Sequence, residues 1–154
     1  MIKKAVRLPT PSEYRSLASF RHALRRFLDF SARAARTAGL TTQHYQTLLA
    51  LKAAQPDRIV SIGGLAEELL LRHHSAVELV DRLVTRGLVR RVASPADGRR
   101  VDLRLTARGE SIIARLAATH REELRHAAPA MRRALRNLHQ PKRGSSPREP
   151  AGRK

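Results

Sequence analysis

The chain has 154 residues, enough to bury one hydrophobic core and too few for two independent domains. Lys and Arg number 31 against 13 Asp and Glu, a formal charge of +18 that makes a polyanion the first candidate partner, tempered because Arg far outnumbers Lys and codon usage alone can enrich Arg. With no cysteine, disulfides, thiolate metal sites and cysteine nucleophiles are excluded.

The leader through Pro9 and Pro11 carries charge but lacks the apolar core of a signal peptide, and no window approaches a membrane span, so a soluble, cytoplasmic protein with no membrane partner is expected. Ser12, with Glu13 in the first turn, marks a helix start. Leu17, Phe20, Leu24, Phe27, Leu28 and Ser31 then recur at helical spacing to about Thr37, where Gly39 ends the element. Thr41 or Thr42 caps a second helix through Tyr45, Leu48, Leu49, Ala50 and Leu51, stopped at Gln55-Pro56-Asp57. Ser61 caps a short third helix through Leu65, Ala66 and Leu69, and the run Leu69-Leu70-Leu71-Arg72 predicts a buried turn. A fourth helix spans His73 to Arg86, ended by Gly87, with Val77, Val80, Leu83 and Val84 inward.

The period then changes. Leu88 to Ala93 is strand-like, Ser94-Pro95-Ala96-Asp97-Gly98 is turn chemistry, and Val101, Leu103 and Leu105 alternate with Arg100, Asp102 and Arg104, which predicts a two-stranded ribbon with a basic tip. Thr106 caps a long helix through Ile112, Ile113, Leu116, Ala117 and Leu124, with an interruption expected near Pro129 before a last segment through Met131, Leu135 and Leu138. Residues 139–154 read as a disordered basic tail of net +4.

Helix, short helix, tight turn, helix and basic ribbon is the order of a winged helix-turn-helix: mainly α, with a small β wing. A helix fits the major groove, where base edges differ, and a ribbon reaches the backbone or minor groove beside it. On the fourth helix His74, Glu78 and Arg82 share a face at i, i+4 and i+8, with Arg72, His73 and Ser75 at the end that would enter the groove. Arg82 either reaches DNA or pairs with Glu78 one turn away. Arg99 and Arg100 flank the wing turn and are candidate DNA contacts.

Two segments carry a family resemblance. The first is Leu65-Ala66-Glu67-Glu68-Leu69 followed by Arg72 to Leu83 and Gly87-Leu88-Val89-Arg90-Arg91; the second is Asp97-Gly98-Arg99-Arg100-Val101-Asp102-Leu103-Arg104-Leu105-Thr106-Ala107-Arg108-Gly109. Both resemble the multiple-antibiotic-resistance-regulator (MarR) type of winged helix-turn-helix transcription factors, over roughly residues 12–138. The resemblance implies a sequence-specific regulator, a repressor, that binds double-stranded DNA as a homodimer at an inverted repeat and is released by a small aromatic or acidic effector. It implies that Arg99 enters the minor groove and that Asp97 fixes the wing by pairing with basic neighbours. It also implies a flexible leader over 1–11, a DNA-binding lobe over 38–106, and dimerisation helices over 12–37 and 107–138.

His22, Phe30, His44 and Tyr45 are the candidate ligand-binding residues, each of which fits an ordinary core or surface position as well. His22, His44, His120 and His126 lack paired spacing, so no metal is expected, and no cofactor motif is present. An enzyme is not expected either: there is no Gly-x-Ser-x-Gly, no phosphate-binding Gly-rich loop and no His-Glu-x-x-His, and the adjacent Glu67-Glu68 and Glu122-Glu123 pairs diverge by about 100° per residue. The alternatives are a nonspecific or architectural nucleic-acid binder using the basic surface and tail, and a protein-interaction module that has kept the fold.

Overall fold

The structure, a computed structural model, describes residues 7–55, 60–93 and 101–139. In chain order the elements are α1 (Pro11–Thr37), α2 (Thr42–Ala54), β1 (Val60–Ser61), α3 (Ile62–Glu68), α4 (His73–Thr85), β2 (Val89–Ala93), β3 (Val101–Leu105) and α5 (Ala107–His139). The described residues fall into two compact units, one within residues 27–126 and one of residues 7–26 with 127–139.

Helix ends follow from local chemistry, with one correction. Thr10 rather than Ser12 caps α1: its hydroxyl accepts the Glu13 N–H at 3.3 Å, and the Glu13 carboxylate accepts the Thr10 N–H at 2.6 Å, with Pro11 at the first helical position. These bonds, with Arg7 alongside, hold the Glu13 carboxyl below its ordinary pKa. At the other end Gly39 takes φ +71°, and the Gly39 and Leu40 N–H groups bond back to the Arg36 and Ala35 carbonyls. Gly87, at φ +65°, closes α4 in the same way through Val84 and Leu83.

The larger unit packs α2, α3, α4 and the start of α5 over a small sheet. Its centre is Leu48, Leu51, Leu65, Leu79, Val80, Leu83, Leu88, Val89 and Ile113, each less than 2% exposed. On α4 the buried face is Ala76, Leu79, Val80 and Leu83; Val77 and Val84 are half-buried at its margins, so the inward set is shifted from the expected one. The sheet has three strands, not two. Strand β3 is central, with β2 on one edge and β1 on the other, where Val60 pairs with Leu103 and Ser61 with Asp102. Asp102, expected outward, is 2% exposed in this central strand.

In the smaller unit, Ser16 and Ala134 are buried, while Tyr14, Leu17 and Leu135 are large apolar side chains left exposed. Helix α5 runs uninterrupted through Pro129, against expectation, and continues to His139. Pro129 is exposed among Ala127, Ala128 and Ala130, so strong helix formers carry the helix past the missing N–H and solvent can reach the freed carbonyl. The rest of the expected tail, 140–154, and residues 1–6 of the leader lie outside the described residues. Among the described residues no helix is long and apolar enough to cross a membrane.

Candidate nucleic-acid interface

Two helices and a hairpin build the site. Ser61 caps α3, its hydroxyl accepting the Gly64 N–H at 3.2 Å. After α3 the chain reverses at Leu70, which holds φ +54° while the Leu71 N–H bonds the Ala66 carbonyl at 2.8 Å. This is the helix-ending turn that Gly39 and Gly87 make, here with a side chain at the left-handed position. The expected buried turn is therefore corrected in its middle: Leu69 and Leu71 are half-buried, but Leu70 is 93% exposed, because the left-handed residue is turned out of the turn it closes.

Arg72 precedes α4 with extended backbone and makes no side-chain cap, so the first N–H groups of α4 are left to other acceptors. Arg72, His73 and His74 are exposed at this end and Ser75 is half-buried. Glu78 and Arg82 continue the exposed line from His74, and among the described residues they make no ion pair with each other. The buried face of α4 is opposite this line, so burial fixes which side chains α4 presents. Asp81 is drawn aside by Arg91 of β2, at 2.6 Å.

The wing strands are joined through residues 94–100, which hold Asp97, Arg99 and Arg100 and lie outside the described residues. Their anchors are described: Ala93 of β2 pairs with Val101 of β3. The same register sets Arg90 directly opposite Arg104, two like charges that repel unless an anion joins them. Neither residue is among the DNA contacts expected from the sequence. The signal was there, since each takes the alternate position to a core residue of its strand, but strand offset is not readable from one sequence.

The four candidate ligand residues are divided by the structure. Phe30 lines a cavity of about 560 Å³ between α1 and α5, with Arg33, Ala34, Thr37, Ile112, Arg115, Leu116 and Thr119. His44, Tyr45 and His22 do not line it. His44 is buried and completes the α2 cap, its Nδ1 accepting the Thr41 N–H at 3.3 Å while its own N–H bonds the Thr41 hydroxyl at 3.1 Å. Burial first, then the Arg86 and Arg82 guanidiniums, keep its pKa below the ordinary imidazole value. Tyr45 stacks on buried His120 at 4.1 Å and an interplanar angle of 16°, and burial raises its hydroxyl pKa. His120 Nδ1 faces the Leu116 carbonyl at 2.7 Å and so carries the proton, leaving Nε2 to accept from Ser31 at 2.9 Å. His22 is exposed in the smaller unit. Among the described residues no group of His, Asp and Glu could hold a metal ion.

Comparison with known proteins agrees with this architecture. Residues 38–100 match the MarR family model. The chain is similar to AbsC, a MarR family transcriptional regulator from Streptomyces coelicolor, at 21% identity over 88% of this chain and 86% of that one, with a TM-score of 0.64. It is similar to apo MarR from E. coli at 16% identity over 88% and 100% of the two chains, TM-score 0.63. A variant of MepR from S. aureus bound to an oligodeoxyribonucleotide is similar at 20% identity over 71% and 79%, TM-score 0.62. No curated protein matches the chain. The segment that matches the family model holds α2, β1, α3, α4 and β2, and the chain shares the winged helix-turn-helix fold of these solved regulators.

Proposed function

We propose that this protein is a sequence-specific DNA-binding repressor that works as a homodimer on an inverted-repeat operator. The observation that carries the reading is α4: one face is locked into the core, and the other presents His74, Glu78 and Arg82 below an uncapped N-terminus flanked by Arg72, His73 and Ser75. A helix so held can enter a major groove, with its free N–H groups and imidazoles turned to phosphates and base edges. The oligonucleotide-bound MepR variant supports DNA as the partner. In this reading Arg99 and Arg100 reach the minor groove or backbone from the wing, Asp97 steadies the wing, and Arg90 and Arg104 gain an anion that relieves their repulsion. Exposed Tyr14, Leu17 and Leu135 in the unit built from the first and last helices supply apolar surface for a second copy. Two-fold symmetry of the dimer then demands two-fold symmetry of the operator.

Release by a small aromatic acid fits the cavity beside Phe30, whose apolar wall carries two guanidiniums, Arg33 and Arg115. A ligand that prefers a spacing of the two recognition helices unlike that of the operator lowers affinity by the ratio of its two binding constants. Benzoate titrated into the complex should lower operator affinity; an unchanged affinity under saturating benzoate would remove this part of the proposal.

Selection from a random duplex pool at about physiological salt, with solution mass measured alongside, tests the main reading. A two-fold symmetric motif enriched by a dimer is expected. Retention without enrichment, or no retention by folded protein, overturns it in favour of a nonspecific binder or a protein-interaction module. Arg99→Ala should weaken operator binding with no change in melting temperature, and equal loss of both would withdraw the DNA-contact role of Arg99.

A further inference from the structure

The positive charge of this protein is not confined to its DNA-reading elements. Among the described residues, the larger unit has thirteen basic residues against nine acids, a net +4. The smaller unit, about a third as long, has eight arginines against Glu13 alone, a net +7. Glu13 is already taken by Arg7.

Pairing follows the same division. In the larger unit Arg33 pairs with Asp29, Lys52 with Glu110, Arg91 with Asp81 and Arg125 with Glu122, while Arg86 bonds the Gly39 carbonyl. In the smaller unit Arg15, Arg21, Arg25 and Arg26 of α1 and Arg132, Arg133 and Arg136 of α5 are all exposed, and none has a hydrogen-bond or ion-pair partner among the described residues. Helices α1 and α5 each contribute to both units, so the contrast lies within single helices. Among the described residues one stretch holds acids and their pairs, Arg33 with Asp29 and Arg125 with Glu122, beside the unpaired Arg36, Arg115 and Arg121, and the other holds arginines with Glu13 as its one acid.

Bare arginines at this spacing work against the helix. Arg21 and Arg25, like Arg132 and Arg136, are like charges at i, i+4, which destabilise a helix by a few tenths of a kcal/mol per pair. Codon usage that enriches arginine does not account for it, because the acids are what is missing here: one of the ten described acids lies in this unit. Arg15 and Arg26 are three turns apart on one line of α1, roughly 16 Å along the axis. A line of that length, made of bidentate phosphate donors with long reach, suits a ligand that presents phosphates repeatedly rather than once.

We propose that the unit formed by the first and last helices is a second, sequence-independent contact for the phosphate backbone of duplex DNA, separate from the surface formed by α4 and the wing. It adds affinity and salt dependence to binding at any sequence and carries no discrimination between sequences. The inference takes DNA as the partner from the proposed function but does not need an operator to exist.

The test uses the full-length chain with all seven arginines changed to Gln, which keeps the helix and the aliphatic stem, and also the α1 set and the α5 set changed separately. Binding to a random duplex, and to any selected operator, is measured across a salt series. Each phosphate contact contributes about 0.9 to the slope of log affinity against log salt, so loss of three contacts flattens it by about 2.7. The expected result is that flattening, with affinity for both duplexes falling by the same factor. Wild-type protein gives a second reading that no folding defect can spoil: random duplex should shield these arginines from a dicarbonyl reagent, read by mass spectrometry. An unchanged slope, or full labelling in the presence of DNA, overturns the proposal. So does binding of the same arginines to phosphatidylserine vesicles with no effect on DNA. A protein that shows no sequence preference but still loses slope retains this surface and loses only the operator reading.

Discussion

Gly109 and Gly64 are both in the first turn of a helix, and the same change to alanine should act on them with opposite sign. A Cβ built on Gly109 falls 2.1 Å from the Leu88 carbonyl oxygen and 3.1 Å from its carbon, more than 1 Å inside normal contact. Neither side is free to yield. The Leu88 carbonyl accepts the Thr106 N–H at 3.1 Å, the Leu88 N–H bonds the Leu83 carbonyl at 3.0 Å, and the Leu88 side chain is 1% exposed. On the other side, Thr106 fixes the start of α5 by accepting the Gly109 N–H at 3.0 Å and donating to the Gly87 carbonyl at 2.7 Å. Overpacking of this kind costs about 1–3 kcal/mol, and loss of the Thr106–Leu88 bond about 1 more. The helical preference of Ala over Gly returns up to about 1 kcal/mol. Gly109→Ala should therefore lose about 2 kcal/mol, a fall in melting temperature of about 4–8 °C for a chain of this size. At Gly64 the nearest atom is the Ser61 hydroxyl at 3.6 Å, an ordinary contact, so Gly64→Ala should gain about 0.5–1 kcal/mol. Urea and thermal unfolding of both variants decide the matter: a Gly109→Ala protein as stable as wild type would refute the packing argument, whatever Gly64→Ala does.

Leu70→Gly should stabilise the protein by about 0.5–1 kcal/mol in urea unfolding, because Leu70 holds φ +54° with 93% of its surface exposed and little packing to lose; a destabilised variant would show that the side chain has contacts of consequence. The lowered pKa of His44 means that the unfolded chain binds a proton the folded chain resists, so its contribution to stability is complete above about pH 6.5 and is lost as pH falls through the lower folded value. His44→Gln keeps the reciprocal cap without the titration, so wild type should lose more stability than the variant between neutral and mildly acid pH; parallel curves would count against the buried neutral imidazole. Arg86→Ala should leave benzoate binding intact and weaken its effect on operator affinity, since Arg86 ties the end of α4 to the Gly39 carbonyl at 2.7 Å; an undiminished effect would remove Arg86 from the route.

Much of the fold was legible because burial leaves a periodic mark. The stops at Gly39 and Gly87, the Ser61 cap and the change from helical to strand period stand where the residues placed them, whereas of the stripe on α1 only Ser31 is buried and Leu17 and Leu28 are exposed. What periodicity does not encode is which element lies against which. Strand β1 is two residues long and too short to show a period, yet its pairing with β3 makes the sheet three-stranded and β3 its central strand. Pro129 misled for a different reason: a proline removes one hydrogen bond, and strong helix formers around an exposed position outweigh that loss. Thr10-Pro11-Ser12-Glu13 was readable and passed over, since Thr and Glu three apart around a proline form a complete helix start.

The site divides along the same line. The exposed face of α4 was readable because it is the complement of a buried stripe, and a single helix contains both. The opposition of Arg90 and Arg104 needs a register, and the asymmetry of charge needs a division of the chain into units; the first 26 residues join residues from 127 onward, a grouping no local pattern announces. Arg86 shows the same limit in one residue. In sequence it is a cation in the last turn before a glycine, the ordinary partner of a helix C-terminus. In the fold its guanidinium bonds the Gly39 carbonyl just beyond the cavity wall at Thr37 and Ala38, and its own carbonyl accepts from Arg108 of α5 at 3.4 Å. Both helices that line the cavity are thus tied to the end of the helix proposed to read DNA. In the proposed reading, an occupant that parts α1 from α5 strains these two bonds, and through them the end of α4.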